Sequence, residues 1–301
     1  MSITERILPV FNKNYPIEER DAIWNHAMSL SMQSEINESN LENMFANSLT
    51  VGFSASGGGG QIVLLAEALG MFTITNTETW ARGTASITTM SIDQILDKIQ
   101  DVFPFPINFP DFSDNQPHCD KTKYGITSNR HIFYLWAAKR IMELCPDKNS
   151  SILEVGAGFG LLGYYLDKAG YRDYTTIDLA LVNACQTYYL AKTLPDRNII
   201  LSGDVENPFD EKHKDSIKLL HSTDFKDVPK NRFSIMFNMD GLTEYGLAEA
   251  SKYVQSDCAP ILLSINCESN PYRVNEIPQS RKLRYRYPFW LRSGYVEELY
   301  V

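Results

Sequence analysis

The sequence has few of the features that mark membrane, zinc-binding or secreted proteins. Its five cysteines are scattered and never form a C-x-x-C pair, so a structural zinc site has no support and ordinary reduced thiols are expected. The longest apolar stretch, residues 62–72, contains Glu67 and is too short to cross a bilayer. No apolar run of signal-peptide length begins the chain, and we therefore predict a cytoplasmic protein without an integral membrane segment.

Positive charge is also scarce. Lys and Arg number 28 against 37 Asp and Glu, which gives a formal net charge of -9 at pH 7. Nucleic-acid backbones repel an acidic surface, so we predict no nucleic-acid partner. A local exception is the basic and aromatic segment RKLRYRYPFWLR, residues 281–292. With 44% apolar residues, the 301-residue chain has ample material for a core.

The first 120 residues differ in character from the rest. Residues 17–32 and 91–102 have the apolar spacing of helices, and residues 103–118 form a connector rich in Pro and Phe. The run Gly57–Gly60 lacks the Lys-Ser/Thr pair of a P-loop, which favours a flexible turn or a lid hinge. We predict a mainly helical domain over residues 1–120 and a second domain over residues 121–301.

Strand and helix signals alternate in the second part. A helix is predicted from Thr127 onward, and from Ser151 short apolar strands alternate with amphipathic helices. This rhythm is typical of an α/β fold in which helices cover both faces of a mostly parallel sheet. The predicted fold class is therefore a Rossmann-like α/β domain preceded by the mainly helical domain.

Two glycine patterns overlap in ILEVGAGFGLLG, residues 152–163. Read from Gly158, GFGLLG is the G-x-G-x-x-G of dinucleotide sites, in which the first glycine directly follows the first strand. Read from Glu154, EVGAGFG is an acidic residue followed by G-x-G-x-G, the pattern of a methyl-donor site. The apolar strand ends at Val155, so the turn begins with Gly156 and the second pattern is favoured.

The second strand of this part ends in Asp178. A carboxylate at this point can accept hydrogen bonds from both hydroxyls of a ribose. The alternative is that Asp178 is the N-cap of the following helix. Asp178 therefore supports a nucleoside site without choosing between the two cofactors.

Three segments together resemble the sugar O-methyltransferase family of the class I S-adenosylmethionine-dependent methyltransferases. They are EVGAGFGLLGYYL, IDLALVNACQTYYLAK and FNMDGLTEYG. The resemblance covers residues 127–301 and implies S-adenosylmethionine as methyl donor, with S-adenosylhomocysteine as product. It also implies a sugar hydroxyl as acceptor, on a nucleotide sugar or at the end of a surface polysaccharide. The chain departs from the family at Gly241, where Ser is expected, and at Tyr245–Gly246, where Met is expected.

The adenine end of the donor has two candidate segments. HSTDF, residues 221–225, has the expected spacing before the strand RFSIMFN, whereas LSGD, ending in Asp204, lies too far ahead of it. We therefore predict His221 and Ser222 at the adenine and assign NIILSGD to an inserted hairpin. The full set of predicted cofactor-binding residues is Glu154, Gly156, Gly158, Gly160, Asp178, Leu179, His221, Ser222 and Asn238.

Methyl transfer needs an acceptor oxygen aligned with the sulfonium carbon and a group that takes the acceptor's proton. The candidates for this base are, in order, Asp240, His131 and Glu244. Their structural alternatives are a turn former, an ordinary residue of an amphipathic helix and a helix-start carboxylate. Some sugar methyltransferases use a divalent metal, for which Asp240, Glu244 and Glu268 would be the ligands. No ligand spacing indicates such a site, and we predict none.

Acceptor binding is predicted at Glu268 and in the segment 281–292. Arg286, or alternatively Arg284, would hold a phosphate or carboxylate of the acceptor, and Tyr287 and Trp290, with Tyr285, would stack on a sugar. The alternative is a packed surface element with snorkelling arginines. The N-terminal domain would either cover the acceptor or form a homodimer contact.

Three rival functions stay open at this point. The acceptor could be a small molecule or natural product that is not a sugar. GFGLLG leaves room for a dinucleotide-dependent oxidoreductase, which NADH binding would reveal. Gly241 leaves room for a protein that binds the cofactor without catalysing transfer.

Overall fold

The computed structural model describes residue 6 and residues 60–71, 90–110 and 120–301. These residues belong to two compact units, one within Glu18–Arg140 and one containing Ile141–Val301. The helix predicted over residues 17–32 and most of the Gly57–Gly60 run lie outside the described residues. The domain boundary after residue 120 stays a prediction.

The described part of the unit within Glu18–Arg140 contains two short helices and a small antiparallel strand pair. Helix α2 begins with a capping box, in which the Ser91 hydroxyl accepts from the Gln94 amide and the Gln94 side chain accepts from the Ser91 amide. This is the helix predicted over residues 91–102. The elements are α1 (Gly60–Ala68), α2 (Ile92–Gln100), β1 (Asp120–Thr122) and β2 (Gly125–Thr127), followed by α3 (Asn129–Leu144).

The second unit is built on an eight-stranded sheet of order β5-β6-β4-β3-β7-β8-β10-β9. Neighbouring strands are parallel except at β10, which is antiparallel to both β8 and β9. The strands are β3 (Ile152–Val155), β4 (Tyr174–Asp178), β5 (Asn198–Leu201), β6 (Ser216–His221), β7 (Ile235–Met239), β8 (Ile261–Cys267), β9 (Leu283–Pro288) and β10 (Tyr295–Tyr300).

Helices cover both faces of this sheet. They are α4 (Leu161–Lys168), α5 (Ala180–Thr193) and α6 (Leu247–Val254). On one face, Gln186 of α5 accepts a hydrogen bond from Thr176 of β4. On the other, Tyr253 of α6 belongs to a buried apolar cluster with Leu153 of β3 and Met236 of β7. The predicted Rossmann-like, mostly parallel sheet with helices on both faces is confirmed.

One prediction about the sheet is wrong. Strand β5, within NIILSGD, is not part of a hairpin. It is an edge strand that runs parallel to β6, with Asn198 opposite Ser216. The sequence did not reveal this, because a short apolar segment has the same pattern in a hairpin and in a parallel edge strand.

The strand order fixes where a ligand can bind. From β3 the chain forms β4, β5 and β6 on one side of β3, and then β7 and β8 on the other side. The order therefore reverses between β3 and β7. In open α/β sheets ligands bind beyond the carboxyl ends of the strands at such a reversal.

A buried ion cluster lies at the amino ends of the strands, which we call the amino edge of the sheet. Asp173, just before β4, accepts hydrogen bonds from Lys218 at 2.9 Å and from Ser151 at 2.7 Å. Arg232 lies 2.9 Å from the same carboxylate. Burial lowers the pKa of Lys218, while Lys218 and Arg232 hold the pKa of Asp173 below its ordinary value against the opposing effect of burial. The cluster therefore joins the starts of β3, β4, β6 and β7.

Candidate functional site

The glycine loop follows β3 directly. Gly156 has φ +73°, in the left-handed region that favours glycine, and a Cβ atom there would lie 2.4 Å from the Tyr245 hydroxyl. Gly160, with φ +82°, is the N-cap of α4. The loop therefore runs from Gly156 to Gly160, in the register of EVGAGFG.

The last glycine of GFGLLG has a structural explanation. Gly163 lies inside α4, and a Cβ atom there would come within 2.5 Å of the Tyr174 ring. The missing side chain lets α4 pack closely on β4. The packing of α4 on β4 is therefore sufficient to explain Gly163, the last glycine of the dinucleotide pattern, and a dinucleotide is not needed to explain it.

Asp178 connects the end of β4 to the glycine loop. Its carboxylate accepts hydrogen bonds from the Ala157 amide at 2.8 Å, the Leu179 amide at 2.8 Å and the Gln186 side chain at 2.9 Å. The N-cap of α5 is Leu179, so Asp178 is not the capping residue of that helix. Burial raises the pKa of Asp178 to about 7, against the lowering effect of these hydrogen bonds.

Gln186 is a site residue that the sequence analysis missed. It is fully buried in α5 and joins Asp178 to Thr176. A glutamine between apolar helix residues gives no signal of this role, since only the packing of α5 on β4 brings it to the carboxylate.

His221 lies beside Asp178. It ends β6 opposite Asp178 in the parallel register, and it is buried. Its Nδ1 atom lies 2.8 Å from the Thr223 hydroxyl, and its amide donates to Ser202. Ser222 begins the 3₁₀ helix Ser222–Asp227 at the same edge. The predicted adenine residues and the predicted ribose residue are therefore neighbours.

Glu154 is fully buried in β3 and its carboxylate accepts a hydrogen bond from the Tyr174 hydroxyl. It lies on the same sheet face as Tyr174, since Ile152 pairs with Tyr174 and side chains alternate along a strand. The acidic residue of the motif is thus held at the base of the loop.

Asn238 joins the ends of three strands. Its amide nitrogen donates to the Val155 carbonyl at 2.7 Å, and its oxygen accepts from the Leu242 amide and from Asn266. Asn266 in turn accepts from the Gly241 amide at 3.2 Å. These two buried amides fix the backbone after β7 relative to β3 and β8.

The strongest candidate for the base, Asp240, lies next to this network. It has φ +60° and a nearly buried side chain. One carboxylate oxygen is 2.5 Å from Arg292, and the other accepts from the Tyr295 hydroxyl at 2.5 Å. The Arg292 guanidinium also lies 3.8 Å from the centre of the Tyr295 ring. Tyr295 gave no sequence signal, because only the antiparallel insertion of β10 brings it to the end of β7.

The other two candidate bases occupy different surroundings. Glu244 is exposed in the turn after β7. His131 belongs to the unit within Glu18–Arg140, where it is buried on α3 with its ring 5.3 Å from that of Phe109. Burial lowers the pKa of His131 to about 3, so the ring is neutral at physiological pH.

The predicted acceptor residues lie around β9 and β10. Glu268 and Arg286 form an ion pair, and Arg286 also binds Glu298 at 2.8 Å. Tyr287 stacks on Tyr285 with ring centres 4.6 Å apart, and its side of the strand is exposed. Trp290 is partly buried in the turn that joins β9 to β10.

The carboxyl ends of the parallel strands, here called the carboxyl edge of the sheet, therefore form two groups of residues, or halves. The first half, at β3, β4 and β6, carries the glycine loop, Asp178 and His221. The second half, at β7, β8 and β10, carries Asn238, Asp240 and their partners. Their functional roles stay predictions.

Neither a metal cluster nor a membrane-spanning helix is found in the parts of the chain that the structure describes. Within those residues, no three His, Cys, Asp or Glu side chains are grouped as a metal site. In the same ranges no helix has the length and apolarity needed to span a bilayer.

No protein-family model and no curated protein matches the chain. Solved structures do match it. A SAM-dependent methyltransferase from Aquifex aeolicus is 14% identical, covering 54% of this chain and 86% of that one, with a TM-score of 0.36. Magnesium protoporphyrin IX methyltransferase from Synechocystis PCC 6803, with bound SAH, is 11% identical, covering 57% and 83%, with a TM-score of 0.38. The glycopeptide N-methyltransferase MtfA, complexed with S-adenosyl-L-homocysteine, is 15% identical, covering 55% and 88%, with a TM-score of 0.40.

Proposed function

We propose that this protein is an S-adenosylmethionine-dependent methyltransferase that methylates a hydroxyl group of a sugar. The loop Gly156–Gly160 carries the proposal. It begins directly after β3, at the strand-order reversal, and Asp178 holds its Ala157 amide at 2.8 Å. This register favours the methyl-donor pattern over the dinucleotide pattern, and Gly163 needs no ligand to explain it.

The donor fits the first half of the carboxyl edge. Asp178 would hold the ribose hydroxyls, with His221 and Ser222 beside it at the adenine. The missing side chain at Gly156 lets the Tyr245 hydroxyl lie directly against this turn. When bound, the donor supplies a methyl group on a positively charged sulfur, which is a strong electrophile.

The second half of the edge would receive the acceptor. Asp240 would take the hydroxyl proton of an acceptor bound here as the donor supplies its methyl group to the acceptor oxygen. Arg292 and Tyr295 hold the Asp240 carboxylate in place. The acceptor hydroxyl would displace one of these contacts before it gives up its proton.

The sugar acceptor is supported by the family resemblance and by the aromatic surface of β9. Tyr287 is 40% exposed and stacked on Tyr285, and Arg286 lies between them in sequence. Stacked, partly exposed rings suit a sugar, while Arg286 projects from the opposite face of β9. The acidic chain also fits a discrete acceptor better than a nucleic acid.

Calorimetric titration of the protein with S-adenosylhomocysteine, and separately with NADH, tests the cofactor. We expect binding of the first alone. Gly156→Ala should abolish it, because the new methyl group would collide with Tyr245 and φ is positive. Gly170→Ala is the matched control, since Gly170 has φ +94° but open space around its Cβ position. Binding of NADH alone would refute the proposal.

The acceptor needs a separate experiment. Transfer of a labelled methyl group would be measured with nucleotide sugars, polysaccharide termini and non-sugar hydroxyl compounds. We expect transfer to a sugar, reduced at least about a hundredfold in Asp240→Asn if Asp240 is the base. If methyl transfer occurred only to non-sugar compounds, the protein would still be a methyltransferase, but the proposed sugar acceptor would be wrong.

A further inference from the structure

Tyr245 is a residue to which the sequence analysis gave no role. We infer that its hydroxyl donates a hydrogen bond to the carboxylate at the amino-acid end of the methyl donor. This inference rests on the proposed function and names a contact that would orient the donor.

The Tyr245 hydroxyl lies at the strand-order reversal. A Cβ atom on Gly156, which follows β3, would be 2.4 Å from it, and a Cβ atom on Gly241, just after β7, would be 3.1 Å from it. The hydroxyl oxygen therefore lies between the carboxyl ends of β3 and β7, directly against the first residue of the glycine loop.

The backbone and ring of Tyr245 are held in place. Its carbonyl oxygen lies 2.6 Å from the Tyr272 hydroxyl, and its amide donates to the Gly241 carbonyl at 3.2 Å. Its ring packs near that of Tyr253, with centres 6.1 Å apart, against the core cluster that includes α6. A hydroxyl fixed in this way costs little conformational entropy when a ligand binds.

Gly241 makes room for this tyrosine. A Cβ atom at position 241 would lie 2.8 Å from the Asn238 amide nitrogen and 3.1 Å from the Tyr245 hydroxyl. Any side chain there would compete with both groups. Gly241 therefore lets the Tyr245 hydroxyl occupy space that a side chain at position 241 would fill.

The length of the donor places its amino-acid end near Tyr245. With the ribose at Asp178 of β4 and the adenine at His221 of β6, the remainder of the molecule extends in the opposite direction, past β3 toward β7. Adjacent strands are about 4.8 Å apart, so this end crosses β3 within one or two strand spacings. A tyrosine hydroxyl is a suitable hydrogen-bond donor to a carboxylate, and the hydroxyl of Tyr245 lies against the first residue of the glycine loop.

Two ligands and two variants test the inference. Calorimetric titration would use S-adenosylhomocysteine and 5′-methylthioadenosine, which keeps the nucleoside and sulfur but lacks the amino-acid end. Tyr245→Phe removes only the hydroxyl. We expect it to weaken S-adenosylhomocysteine binding about tenfold or more and to leave 5′-methylthioadenosine binding unchanged. Tyr171→Phe is the control. It removes a hydroxyl bound to the Cys145 carbonyl near the amino edge and should change the affinity for neither ligand.

The outcomes separate the inference from the proposed function. If the wild-type protein binds neither ligand, the proposed function fails. If it binds S-adenosylhomocysteine but Tyr245→Phe binds it equally well, the inference is overturned and the proposed function stands. An equal loss for both ligands would also overturn the inference, because the hydroxyl would then support the fold of the site as a whole. Thermal unfolding midpoints of both variants establish that each is folded.

Discussion

The Asp178 carboxylate accepts a hydrogen bond from the Ala157 amide, 2.8 Å away, and so ties the end of β4 to the loop after β3. The same carboxylate is the proposed ribose partner. Its state of protonation therefore affects the shape of the loop and the affinity for the ligand together.

Donor binding should become tighter as pH rises. Burial raises the pKa of Asp178 to about 7, so most of the carboxyl groups are protonated at pH 6. Ribose hydroxyls donate to the ionised form, and binding at pH 6 then includes the cost of releasing a proton. We expect the Kd for S-adenosylhomocysteine to be about tenfold higher at pH 6 than at pH 8.

Asp178→Asn is the control for this pH dependence. The amide does not titrate, so its Kd should vary little between pH 6 and pH 8, although binding is weaker throughout. Calorimetry in buffers of different ionisation enthalpy would also count the released proton. A wild-type Kd that rises with pH would contradict the assignment.

Gly163→Ala should destabilise the protein by about 1–3 kcal/mol, because its methyl group would lie 2.5 Å from the Tyr174 ring and force α4 away from β4. Urea unfolding measures the change. Gly60→Ala, at the start of α1, is the control: its Cβ position has open space, and we expect a change near zero or a slight gain. Equal effects of the two substitutions would mean that helix packing does not require Gly163.

Asn238 and Asn266 should be energetically coupled. Their side chains share a hydrogen bond of 2.8 Å in a buried network, so loss of one leaves polar groups of the other without their partner. We expect each alanine substitution to cost about 2 kcal/mol and the double substitution to cost about 1 kcal/mol less than their sum. A double-mutant cycle based on urea unfolding measures this coupling. If the two losses in the free energy of unfolding simply added, the hydrogen-bond network would not be important.

Arg292→Ala should destabilise the protein more when position 240 is Asp than when it is Asn. The substitution leaves the nearly buried Asp240 carboxylate with Tyr295 but without its cation, at a cost of about 2 kcal/mol. Adding Asp240→Asn removes the charge, and Asn tolerates the φ of +60° at this position. Thermal unfolding should therefore show that the double variant is more stable than Arg292→Ala, and the reverse order would contradict the ion pair's role.

The sequence predicts the sheet well and the site in part. Apolar runs and glycines locate β3, the loop and α4, because these features depend on neighbouring residues. His221 and Asp178 are adjacent because β4 and β6 are neighbouring parallel strands, whose carboxyl ends lie side by side. Spacing favours His221 over Asp204 for the adenine, and the structure shows His221 at the end of β6, opposite Asp178; its role at the adenine stays a prediction.

Contacts between distant segments could not be predicted in this way. Gln186, Tyr245 and Tyr295 reach the site through the packing of α5, the turn after β7 and the antiparallel insertion of β10. None of these depends on a local pattern. The edge strand β5 was assigned wrongly for the same reason, because the pairing partner of a short strand is a property of the whole sheet.

The ion cluster at the amino edge has a consequence for how this protein tolerates change. Asp173, Lys218 and Arg232 join the strand starts on the opposite side of the sheet from the glycine loop. Substitutions in this cluster are expected to lower the stability of the fold without changing any side chain at the carboxyl ends of the strands. Because the ion cluster and the carboxyl ends of the strands have few side chains in common, residues at the carboxyl ends can diverge in evolution while the cluster stays intact.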